Sequence, residues 1–123
     1  MYLLPQEIEV WYIIPAIRKE LAKHLTRKYK LSYEKAGMAL GVSKAAISQY
    51  LSNKRANKIR LTSEIKKEIV KSAKIISDNP KLGLAEMEKN LRIMKDTKYS
   101  CEVCKKYNRD VLNYCGTDEV RVC

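Results

Sequence analysis

The stretch LSYEKAGMALGVSKAAISQYLSNKR, residues 31–55, leaves this chain few ways to fold. Ser32 is an N-cap residue whose side-chain oxygen suits an orphan backbone N–H, and it predicts a short helix running through Leu40, with Ala36 and Leu40 on one face. Gly41 stops that helix, because glycine adopts positive φ without a Cβ penalty and lets the chain turn sharply. Val42 can then plug the angle between two helices. Ser43 caps the second, which runs to about Leu51 with Ile47, Tyr50 and Leu51 facing inward. The expectation is a helix, a tight glycine turn and a helix.

Charge says what such a unit meets. The 123-residue chain carries a net charge of +11, and residues 26–74 hold thirteen basic against three acidic side chains, so nearly all the excess lies in the middle. A solvated lysine-rich face is the plain explanation of a charge run. Confinement of the excess to one segment favours a nucleic-acid footprint. No run approaches a transmembrane length, and Glu7 and Glu9 interrupt the N-terminus where a secretory segment needs uncharged residues, so a soluble, cytoplasmic protein is expected.

The flanks also look helical. LPQEIEVWYIIPAIRKELAKHLTRKY is read as two helices with Pro15 at the first turn of the second, where Ile17, Leu21, Ala22 and Leu25 form an apolar face and Arg18, Lys19, Lys23 and Arg27 point away. His24, the single histidine, is read as an exposed helix residue and not a ligand. Thr62 caps a helix from about Ser63 to Ser77 with Ile65, Ile69, Ala73 and Ile76 on one face, ended by Asn79 and Pro80. In the next helix Leu84, Met87, Leu91 and Met94 make a stripe suited to a helix partner, either in the domain's own core or across a dimer seam.

The spacing of residues 31–55 resembles the helix-turn-helix of the phage repressor and Cro-like, or XRE, family. The matching features are Ala36 and Gly37, Leu40, the Gly41-Val42 turn, Ser43 at the cap, and Ile47 with the SQYLSNKR ending. Gly37 stands where the family usually has alanine, a departure expected to cost about 1 kcal/mol of helix propensity. The N-terminal LPQEIEVWYIIPAIRKELAKHL is similar to a group of small archaeal XRE-type regulators with a comparable Pro-Ala-Ile/Leu-Arg helix, some of which have cysteines beyond the DNA-binding part. The similarity spans about residues 5–60. It implies a lambda-repressor-like all-α bundle whose helix from Ser43 to Leu51 lies in the major groove of double-stranded DNA. Ser43, Lys44, Ala45, Ser48 and Gln49 would then read bases: Gln49 suits adenine, Lys44 guanine or a phosphate, and Ala45 a thymine methyl. Asn53, Lys54, Arg55 and Lys58 would meet phosphates, adding affinity without sequence information. An ordinary helical hairpin that touches no DNA is the plain alternative.

All four cysteines fall in the last 23 residues, as Cys101, Cys104, Cys115 and Cys123. A C-x-x-C pair converges two thiolates on one ion or cluster, and two further thiolates complete a closed site. The second pair is split by GTDEVRV, which fits a zinc ribbon imperfectly, and the uneven spacing suits an iron-sulfur cluster, with 4Fe-4S favoured over Zn2+. Disulfides or a thiol switch remain as alternatives. Tyr99, Tyr107, Val111, Leu112 and Tyr114 are the apolar cover in this tail, so metal ligation is expected to supply much of its folding free energy.

No catalytic constellation is evident, so no enzyme is expected. The organisation expected is an XRE-type DNA-binding domain at residues 1–78, a linking or dimerisation helix at 79–98, and a four-cysteine metal-binding module at 99–123. The function expected is that of a homodimeric transcriptional regulator on a pseudo-palindromic operator, with a cluster sensing redox, iron or sulfur status. One alternative keeps the regulator with a purely structural zinc site. Another, of a different class, is a protein-interaction or assembly module with incidental positive charge.

Overall fold

A computed structural model describes residues 9–54, 56 and 60–96, and among these the regular structure is helical throughout, with no strand. The fold is therefore all-α over the described residues. Five α-helices carry it: α1 (Ile14–Lys23), α2 (Tyr33–Leu40), α3 (Lys44–Leu51), α4 (Ser63–Asp78) and α5 (Gly83–Asp96). None of the described helices is long and apolar enough to cross a membrane.

The N-terminal region departs from the expected pair of helices. A π-helical turn, Glu9–Ile13, leads into α1 without a break, since Ile13 itself has helical φ −80° and ψ −52°, and a second π turn, His24–Lys28, continues α1. Pro15 does sit in the first α-helical turn, as expected. Proline has no N–H to give the α-register ladder, and a wider i→i+5 turn ahead of it accommodates the ring without ending the helix. Ile13, Ile17, Leu21 and Leu25 are fully buried along this run. Arg27 is exposed, whereas Arg18, Lys19 and Lys23 are half-buried, as long side chains are when the stem is covered and the charged head stays in water. His24 is likewise half-buried, its carbonyl accepting the Tyr29 N–H at 3.2 Å.

Capping chemistry sets the other starts. Ser32, Ser43 and Thr62 each have extended φ/ψ, and each side-chain oxygen accepts a backbone N–H three residues on: from Lys35 at 3.1 Å, Ala46 at 3.1 Å and Ile65 at 3.4 Å. Gly41 ends α2 in the left-handed region at φ 75°. α1 touches each of the other four helices, and α4 and α5 form a hairpin around a 3-10 turn at Pro80–Leu82.

The apolar stripe of α5 divides. Met87 and Met94 are buried, Leu91 is half-buried, and Leu84 is 61% exposed, so the four residues do not share one contact face. Their helix packs on α1, α2 and α4 of its own chain. A buried polar pair ties it to α4, where Asn90 Nδ2 donates to Ser72 Oγ and to the Glu86 carbonyl, both at 2.9 Å. Gly83 lets α5 begin directly against α2: a Cβ there would lie 1.8 Å from the Ala39 carbonyl oxygen.

Candidate nucleic-acid interface

α3 has two unlike faces. Ala46, Ile47 and Tyr50 are at most 4% exposed and lock the helix into the bundle. The opposite side presents Lys44, Ala45 and Ser48 to solvent, with Ser43 exposed at the start and Gln49 half-buried at the margin. Because 44, 45 and 48 stand at i, i+1 and i+4, they share one side of the helix. That side carries one lysine, one alanine and one serine, all three exposed.

The turn before α3 is held from within. The Val42 N–H donates to the Gly37 carbonyl at 2.9 Å, and a Cβ on Gly37 would lie only 2.6 Å from the Val42 carbonyl oxygen. Gly37 is therefore fitted to this approach, and its place mid-helix is more than a loss of helix propensity. The Ser43 hydroxyl oxygen is committed to capping, which leaves its O–H as the group able to donate outward.

The sequence-expected residues beyond α3 separate. α3 closes with the Lys54 N–H on the Gln49 carbonyl at 2.9 Å and Asn53 in the left-handed region at φ 64°, a position asparagine tolerates. The Asn53 Oδ1 accepts a hydrogen bond from Lys19 Nζ of α1, so this side chain lies over the first helix and not with Lys44 and Ser48. Lys54 is exposed. Arg55 and Lys58 lie outside the described residues, as do Cys101, Cys104, Cys115 and Cys123. Among the described residues no group of three or more His, Cys, Asp or Glu side chains is placed to hold a metal ion.

Two residues join the face that sequence reasoning passed over. Arg27, Tyr33 and Ser48 line one cleft of about 360 Å³, so the end of the first helical run and the first turn of α2 flank the exposed side of α3. Arg27 stands at the edge of the basic segment, but only the packing of α2 shows that it neighbours Ser48. No protein-family profile, curated protein or solved structure matches the chain.

Proposed function

We propose that this chain is a sequence-specific DNA-binding regulator of helix-turn-helix type, with α2 and α3 as its two helices and α3 entering the major groove. The observation that carries the reading is the division of α3, whose buried face fixes the helix while Ser43, Lys44, Ala45 and Ser48 stand clear on the other. A helix must be both anchored and bare to reach base edges. The concentration of positive charge in residues 26–74 supports it independently.

In this reading Lys44 and Gln49 discriminate bases, Ala45 offers a methyl-sized contact, and the cleft-lining Arg27 joins Lys54, Arg55 and Lys58 on phosphates. The protein acts as a homodimer on two half-sites, the usual arrangement for such a reader. Salt-titrated anisotropy with a labelled duplex tests the first claim. Log affinity falls linearly with log salt if phosphates are engaged, and absence of binding at low salt overturns the reading in favour of an assembly module.

The four cysteines supply the regulatory part of the proposal. Their donor set, four thiolates including one C-x-x-C pair, fits an iron-sulfur cluster, whose gain or loss alters operator affinity through the state it stabilises. Anaerobic purification with iron, zinc and sulfide analysis tests it: iron with acid-labile sulfide is expected, and stoichiometric zinc without sulfide makes the site a structural clip.

A further inference from the structure

The α4–α5 hairpin carries a groove of about 610 Å³, lined by Ile65, Lys67, Val70 and Lys71 of α4 and Ile93 of α5. Among the described residues α4 and α5 supply all of its walls, so it is separate from the face that bears Lys44 and Ser48. Ile65 is buried, and the open apolar surface comes from Val70, 36% exposed, and the half-buried Ile93. Lys71 Nζ pairs with Glu68 Oε1 at 3.2 Å along α4 itself, and not across the groove to α5. A channel with valine and isoleucine open in it suits an apolar segment better than an ion.

The position of the groove selects what covers it. α5 ends at Asp96, less than one turn beyond Ile93, and residues 97–123 continue from that point. In their sequence Tyr99, Val103, Tyr107 and Val111 recur every four residues, the interval that sets apolar side chains on one side of a helix. A segment tethered so closely meets the groove at an effective concentration on the order of millimolar. A second copy has no such tether, and the net charge of +11 on each chain opposes its approach. Residues 1–8 join the fold at Glu9, in a helical run that contributes none of the described walls.

We propose that the segment from Tyr99 to Val111 docks in this groove, its apolar side chains against Val70 and Ile93, so that the stretch bearing Cys101 and Cys104 is held on α4 and α5. The inference goes beyond the reading of α3 and needs neither DNA nor a metal at the cysteines.

Photo-crosslinking of the full chain under reducing conditions tests it. Benzoylphenylalanine is introduced at residue 67, on the groove, or at residue 35, an exposed position on α2, and the adducts are mapped by mass spectrometry. Residue 67 is expected to give adducts within one chain to residues 99–111, at a yield independent of protein concentration, and residue 35 is expected to give none there. Val70→Asp, at a site open enough to accept the change, lowers the residue-67 yield severalfold while circular dichroism remains that of the folded wild type. Adducts between chains that rise with concentration make the occupant a second copy and overturn the proposal. Equal labelling from residues 67 and 35, no adduct to residues 99–111, or a yield indifferent to Val70→Asp also overturns it. An α3 that reads no DNA leaves each of these outcomes unchanged, so the two accounts fail on different observations.

Discussion

The Gly37 carbonyl accepts the Val42 N–H at 2.9 Å, while the Val42 carbonyl oxygen stands 2.6 Å from where a Cβ of residue 37 would be. The turn thus folds back on the helix it leaves, and both contacts are backbone. Gly37→Ala should gain up to about 1 kcal/mol of helix propensity and lose more, about 1–3 kcal/mol, by forcing the turn away. A lower urea midpoint than wild type is expected. An unchanged or raised midpoint would show that the turn yields freely.

Gly83 makes a harder test of the same kind. Its would-be Cβ lies 1.8 Å from the Ala39 carbonyl oxygen and 2.7 Å from the carbon, well inside any tolerable contact. Gly83→Ala should therefore destabilise more than Gly37→Ala, because α5 as a whole must move off α2. Thermal unfolding of the two variants side by side checks the order, and the reverse order contradicts this packing.

Ser43 has a folding role and a proposed binding role, and one pair of variants separates them. Ser43→Ala loses the cap on the Ala46 N–H and should cost about 1 kcal/mol. Ser43→Asp keeps a capping oxygen and should restore stability while setting a negative charge on the face proposed to meet DNA. Chemical denaturation alongside duplex anisotropy is the check: the Asp variant should be stable yet bind DNA more weakly than the Ala variant. Equal DNA affinity for the two would remove residue 43 from the interface.

How much of this was legible beforehand depends on whether the signal is local. Ser32, Ser43 and Thr62 announced their helices because capping needs only a side-chain oxygen and an N–H three residues on. Burial of Ile47, Tyr50, Ile65, Ile69 and Ile76 followed from helical period. The continuous run from Glu9 to Lys28 was not legible, since Pro15 signals a break and periodicity carries no mark for a π turn. Leu84 belonged to a stripe by spacing, but whether a neighbour covers each end of a stripe is a tertiary fact. Likewise Lys44, Ala45 and Ser48 could be placed on one face from spacing alone, whereas Asn53 joining Lys19 depends on how α1 lies beside α3.

Asn90 and Ser72 form a buried polar contact between α4 and α5 at 2.9 Å. Asn90→Ala leaves a buried partner unmatched as well as a void, and should cost about 1–3 kcal/mol from the polar part alone. Replacing both, Ser72→Ala with Asn90→Leu, should cost less than the sum of the single changes. A double-mutant cycle by urea denaturation measures this, and strict additivity would mean that the two side chains do not act as a pair.

The central claim is that the exposed side of α3 reads DNA sequence. Selection of bound duplexes from a random pool by wild type, Lys44→Ala and Gln49→Ala, with folding of each checked by circular dichroism, addresses it most directly. The account predicts one enriched motif for wild type and relaxed preference at one or two positions for each folded variant, each lost base contact being worth about 1–3 kcal/mol of discrimination. A wild-type pool with no enriched motif, or a motif that both variants recover unchanged, would contradict it.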